Sequence, residues 1–186
     1  MNGGIMRRAN KEIRDKNVIV GLLNTCHVGR LGTTGKDGYP MVKPLNFAYH
    51  DRAIYFHTAR EGEKIEDINR DNRVCFEVDL PIALVTSKGS PCRAEYLFRS
   101  LIIKGRAHLV QDSAERRQGL QLLMEKYQPE GCYGDFPEEK LAVTGVVRID
   151  IEEMTGKEDL GKEALNDAAL KALADKVPLP ITLVRE

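Results

Sequence analysis

The chain has 186 residues and no tryptophan at all, with only five phenylalanines and six tyrosines. Its four cysteines, Cys26, Cys75, Cys92 and Cys132, form no Cys-x-x-Cys pair, and the histidine nearest to any of them is the adjacent His27. Zinc sites need paired ligands that reach one point, so no metal site is expected. The thiols read as reduced and mostly buried. There is no excess of charge: 28 Lys plus Arg face 28 Asp plus Glu. Without a basic surplus, no nucleic-acid partner is expected. No apolar run approaches the roughly 18 residues of a membrane span. The opening MNGGIMRRANKEIRDK has no apolar stretch of the kind a secretory signal carries. A cytoplasmic protein with no membrane partner is the resulting expectation. Also missing is a Gly-x-Gly-x-x-Gly run after a strand, so the usual dinucleotide cradle is excluded.

What is present is mostly strand. A chain of this length buries roughly 70% of its unfolded surface, suits one domain and needs no disulfide or metal to stay folded. Asp15 is placed to cap a first helix with Ile19, Leu22 and Leu23 on one face. Strand patterns follow at 26–34, 39–50 and 53–58, separated by the polar turns Lys36-Asp37-Gly38 and Asp51-Arg52. Met41, Leu45, Phe47 and Tyr49 share one parity, hence one face. Pro40 and Pro44 cannot donate to a ladder, which puts that strand at an edge or a bend. A helix is predicted near 59–70, strands at 73–79, 95–110 and 142–151, and a loop at 80–93. Asp112-x-x-Glu115 reads as a capping box. It opens a helix with Leu120, Leu123, Met124 and Tyr127 on one side. An alanine-rich helix at 161–176 has Leu165, Ala168, Ala169, Ala172 and Leu173 on one stripe and stops at Pro178. The final ITLVRE either pairs as a short strand or stays irregular. About six strands in hairpin order with inserted helices predict a mainly β fold, a small antiparallel barrel.

One stretch, YFHTAREGEKIEDI at 55–68, joins a strand end to a helix start and sets His57, Thr58, Arg60 and Lys64 at the junction. Two readings stand. In the first, Thr58-x-x-Glu61 is a capping box and the cations are solvated. In the second, the helix N-terminus and the cations at 60 and 64, which lie on one side of a turn, receive an anion such as phosphate.

Three runs, VGRLGTTGKDGYPMVKPLNFAYHDRAIYFHTAREGEKIEDINRDNRVCFEVD, EYLFRSLIIKGRA and VVRIDIEEMTGK, carry a family likeness in their order and spacing. The chain resembles the pyridoxamine 5'-phosphate oxidase-like flavoproteins, in particular the nitroimidazole-resistance branch, over residues 7–157. The resemblance implies a six-stranded antiparallel split β-barrel holding FMN at a homodimer interface, over 1–157; the tail at 158–186 lies beyond the resemblance and reads from its own pattern as a C-terminal helical extension. It implies that Met41, Val42, Lys43, Pro44, Leu45 and Asn46 run along the isoalloxazine ring. His57, Thr58, Ala59 and Lys64 would form the phosphate end. Tyr96, Arg99 and Ser100, in the run Tyr-x-x-Arg-Ser, would face the cofactor from the partner chain. His57 would lie near the flavin and the substrate. The implied activity is an FMN-dependent oxidoreductase. It would pass electrons from a reduced nicotinamide through flavin to a small oxidised substrate, a nitroaromatic being the family-level expectation. No protein acid–base pair or nucleophile is needed for that chemistry. The alternative is a non-catalytic flavin- or haem-binding split barrel, with His27, His50, His57 or His108 as axial ligand. Two features depart from the family pattern. The tryptophan that often follows the cysteine of the Cys92 loop is missing, and the substrate signature of true pyridoxamine phosphate oxidases is not visible after residue 146.

The strand at 96–103 is apolar on both faces: Tyr96, Phe98 and Ile102 on one, Leu97, Leu101 and Ile103 on the other. One face can meet the core. The other needs a partner, or one of the chain's own helices, to stay dry.

Overall fold

The structure, a computed structural model, describes residues 8–185. In chain order the elements are β1 (Glu12–Ile13), α1 (Lys16–Thr25), β2 (Gly29–Thr34), β3 (Pro40–Leu45), β4 (Ala48–His50), β5 (Ala53–Ala59), α2 (Glu63–Arg70), β6 (Arg73–Ser87), β7 (Glu95–Leu109), α3 (Ser113–Tyr127), α4 (Glu138–Val143), β8 (Thr144–Asp159), α5 (Ala164–Ala174) and β9 (Ile181–Arg185). The strands follow the order β3-β2-β6-β7-β8-β5-β4, with β1 on β8 and β9 on β6. The mainly β class with inserted helices is as expected. The strand count among the described residues is nine rather than six. The additions are β1, β9 and a break inside the stretch 39–50.

The chain divides into two compact units. The first comprises Leu23–Val78 and Ile102–Met154. Here the predicted turn at 36–38 forms: Gly35 N–H donates to Tyr39 O at 2.7 Å, and Gly38 takes φ +85°, which a side chain would strain. β3 pairs with β2 alone on the strand path, so both prolines sit on an edge where no N–H is missed. The expected single strand 39–50 is instead two. β3 ends at Leu45, and β4 pairs with β5 at the far end of the path. Asn46 and Phe47 thus join the first and last strands of the order. The Tyr127 hydroxyl fixes that junction. It accepts from Phe47 N–H at 2.9 Å and lies 2.6 Å from His27 O and 3.1 Å from Phe47 O, to which it donates. A break in a ladder orphans backbone groups, and this phenol satisfies them.

The interior of this unit is largely apolar, with Thr33 and Asp67 as its buried polar residues among those described. Phe47, Phe56, Phe76, Leu31, Ile54 and Ile103 are fully buried, and Phe47 meets Phe76 edge-on at 5.0 Å. Gly105 is required by packing: a Cβ there would stand 2.3 Å from Asp150 O. The predicted cap of α3 forms only in half. Asp112 Oδ1 accepts from Glu115 N–H at 2.8 Å, but the Glu115 carboxylate does not reach back; it takes Arg148 at 2.9 Å and the Tyr55 hydroxyl at 3.2 Å. A charge-assisted pair outcompetes a second cap bond. The strand expected from 142 starts at Thr144, because Ala142 and Val143 close α4.

The second unit comprises, in the described chain, residues 8–22, Asp79–Leu101 and 155–185. The segment 80–93 is not all loop as expected: β6 continues to Ser87. On the side of β6 that meets β2 and β9, Pro81 falls between the part that pairs with β2 (to Glu77) and the part that pairs with β9 (from Ala83). The final strand β9 pairs with β6 in parallel, which settles the open reading of ITLVRE. Ile82, Ala83, Val85, Leu97, Leu160 and Ala169 form the core, with Leu165 and Leu173 of α5 packed on it. The predicted stripe of the alanine-rich helix faces inward, Ala169 and Ala172 being buried. Of the four thiols only Cys26 is buried, contrary to expectation; Cys75, Cys92 and Cys132 are exposed.

Candidate functional site

β5 reaches Ala59, and α2 begins at Glu63, four residues later than predicted. The capping box at 58–61 therefore does not exist. The N-cap is Gly62 at φ +104°, with no side-chain cap bond. A glycine placed oddly for a first helical turn is well placed for this cap. Thr58 stays in the strand, and its Oγ1 accepts from Lys64 Nζ at 3.3 Å. Lys64 also lies 5.2 Å from the Phe56 ring centroid. Arg60 does not join Lys64 on one side of a helical turn. It precedes the helix, and its guanidinium donates to Ala142 O at 3.3 Å.

A second cation comes from β3. Lys43 Nζ lies 2.9 Å from Glu63 Oε2 and 3.8 Å from Asp67 Oδ2. These are charge contacts without hydrogen-bond alignment, since the enclosed Nζ has no hydrogen-bond partner among the described residues. Burial, and then the Lys43 charge, push Lys64 below the usual lysine pKa. Asp67 anchors the group from beneath. It is 2% exposed, accepts from Arg70 at 2.6 Å and Thr33 Oγ1 at 3.0 Å, and the Arg70 contact holds its carboxyl below the usual range. Two lysines and a hydroxyl from three elements thus converge beside the start of α2, with one exposed carboxylate, Glu63, as their nearest counter-charge.

The other face of β5 is different. Side chains alternate across a strand, so His57 points away from Thr58. It is exposed at the rim of a cleft of about 280 Å³, whose apolar wall is Leu120, Leu123, Met124 and Tyr127 of α3 together with Phe136 and Leu141. Asn46, Lys140 and Thr144 supply the polar part of the lining. The α3 residues were legible in the sequence as a helix face but not as a cleft wall, and Phe136 and Lys140 gave no signal. Beneath the wall, Lys126 donates to Leu23 O at 2.8 Å and sits 3.6 Å from the Phe47 ring centroid; burial lowers its pKa to about 8.

The remaining predicted residues fall as follows. Along β3, Met41, Lys43 and Leu45 are half-buried on one face, while Val42 and Pro44 point outward, and Asn46 is exposed just beyond it. Ala59 is exposed at the end of β5. Tyr96, Arg99 and Ser100 lie on the part of β7 that belongs to the second unit. There Arg99 Nε donates to Glu158 at 2.9 Å, Ser100 is half-buried and Tyr96 is 47% exposed.

The sequence profile of the family described as pyridoxamine 5'-phosphate oxidase matches residues 15–158. The chain belongs to that family. No functionally curated protein matches it. Among solved structures, a candidate 5-nitroimidazole antibiotic resistance protein of Bacteroides thetaiotaomicron is 28% identical, with a TM-score of 0.71 over 79% of this chain and 86% of that one. The flavocytochrome Anf3 of Azotobacter vinelandii shares the fold at 21% identity, TM-score 0.74, over 88% of this chain and 78% of its own. So does an FAD- and haem-binding protein of Mycobacterium smegmatis, at 17% identity and TM-score 0.73, over 87% and 80%. The split-barrel fold of this family member is therefore shared with proteins whose names carry different cofactors. Among the described residues no helix is long and apolar enough to cross a membrane.

Proposed function

We propose that this protein binds FMN and is an oxidoreductase that takes electrons from a reduced nicotinamide and delivers them to a small oxidised substrate, a nitroaromatic being the first to try. The observation that carries the reading is the enclosed Lys43 ammonium, which lacks a hydrogen bond, next to Lys64, whose own charge is disfavoured by burial and by Lys43. Two close cations of this kind fit a phosphate dianion: it offers several strong acceptor oxygens and removes the repulsion between them. Thr58 adds a hydroxyl within reach of Lys64, at 3.3 Å. The backbone from Met41 to Asn46, on an edge strand with one unpaired side, can meet the polar rim of a flavin. When bound, the flavin supplies the redox chemistry, and the chain binds, orients and shields it.

A homodimer is part of the proposal. Tyr96 and Ile102, on the outward face of β7, remain 47% and 40% exposed, and a second copy would bring that face, with Ser100, against the cofactor; Arg99, on the strand's other face and held by Glu158, would have to reach it past the strand edge. The test is the absorption spectrum of the purified protein, followed by titration with FMN and anaerobic addition of NADH or NADPH. Yellow protein, or FMN uptake with bleaching by a nicotinamide, is expected. A Soret band in place of flavin would replace this reading by a haem protein. A colourless protein that takes up neither group would end both.

A further inference from the structure

Glu63 is an unusual neighbour for a phosphate site. Its side chain is 62% exposed, yet its carboxylate turns back to lie 2.9 Å from Lys43 Nζ. Asp67, the other acid near Lys43, is not free to leave: it is 2% exposed, fixed by Arg70 and Thr33, and stands 3.8 Å off. The two carboxylates therefore differ in kind. Asp67 is a permanent part of the framework, whereas Glu63 is held by one misaligned contact on the solvent side. An exposed residue at the first position of a helix keeps its dipole interaction in many rotamers, so releasing Lys43 costs Glu63 little. An anion arriving at Lys43 and Lys64 must meet or displace that carboxylate, because two anions cannot both sit against one ammonium without repulsion.

We infer that Glu63 is the resident counter-anion of the Lys43–Lys64 site, and that a flavin phosphate binds by exchanging with its carboxylate. This rests on the flavin reading above and deepens it. Glu63 neutralises Lys43 when no phosphate is bound, and it lowers net affinity for FMN by the free energy of breaking that pair. The site is thereby tuned to load and release the nucleotide rather than to hold it permanently. Riboflavin, which has no phosphate, has nothing to exchange and is indifferent to the residue at this position.

The experiment is fluorescence titration of flavin-free wild type, Glu63→Gln and a control, Glu61→Gln, with FMN and separately with riboflavin. Thermal melts of each protein are run with and without FMN and with inorganic phosphate. Glu63→Gln is expected to bind FMN about tenfold more tightly than wild type, with riboflavin affinity unchanged and Glu61→Gln behaving as wild type. Its flavin-free form should melt lower, since Lys43 loses its counter-charge, and FMN or phosphate should raise that melt by more than in wild type. A merely structural role for Glu63 would lower the melt with and without FMN alike. If wild type binds FMN and Glu63→Gln binds it no better, this inference falls and the flavin reading stands. If neither protein binds either flavin, both fall.

Discussion

The two faces of β5 differ by a single residue step and by almost everything else. Thr58 lies on the side of two lysines, an exposed carboxylate and a buried one; His57 looks toward a cleft walled by leucines, a methionine and aromatic rings. One side suits a compact, highly charged group. The other suits a small, largely apolar molecule with one or two polar handles. The contrast teaches that the strand end is a divider. A site that must hold a nucleotide by its phosphate and admit a small acceptor can keep the two tasks apart by the two-residue period of a strand.

That division can be attacked at several points. The largest effect is expected on the charged side. Lys64→Ala should weaken FMN binding by roughly 1.5–3 kcal/mol, the range for a hydrogen bond to a charged group, as read by flavin titration. Riboflavin affinity should hardly change. Equal losses for both flavins would mean that Lys64 supports the fold and not the phosphate. Tyr127→Phe comes next. It removes the hydroxyl that bonds His27 and Phe47 backbone groups, and should cost about 1–2 kcal/mol in chemical denaturation. FMN affinity should follow only in so far as the 41–47 stretch loosens.

His57→Ala should be smaller in binding, about 0.5–1 kcal/mol or less for FMN, and should act on the KM for the acceptor. A loss as large as that of Lys64→Ala would erase the proposed division of β5. The smallest effect is in pH. Lys126 has its pKa lowered to about 8 from an ordinary 10.5, so between those values the unfolded chain holds a proton that the folded one has released. Stability therefore gains from this residue as pH rises through that window. Lys126→Met should lose that upward slope in melts taken from pH 8 to 10. For Lys64, whose pKa is also lowered, FMN affinity should decline with rising pH sooner than an ordinary lysine would allow.

Much of this was legible in the sequence, and the failures have physical causes. The hairpin turns, the edge placement of Pro40 and Pro44 and the inward stripe of the alanine-rich helix follow from local chemistry. The positions of α2 and of the break after Leu45 do not. A capping box is a local pattern, and here the glycine at 62 offered a better start; Thr58 was already committed to a ladder with Gly145. The break is stabilised by Tyr127, distant in sequence, and a period-two pattern cannot report a partner it never meets. Lys43 shows the same limit. Its place in the strand was readable, but its enclosure between Glu63 and Asp67 depends on α2 crossing β3, which only tertiary structure reveals. Continuation of β6 through Pro81 was hidden because a proline is a local signal against a strand, whereas the pairing that extends β6 from Ala83 comes from β9, distant in sequence.

The joint at Asn46 and Phe47 has one more implication. The outermost strands of the path are successive in the chain, and loosening the joint between them pulls the Phe47 amide off a phenol. In deuterated solvent that amide should exchange with the slowest class of the molecule, although it belongs to no ladder, and its rate would time how often the joint between β3 and β4 comes undone.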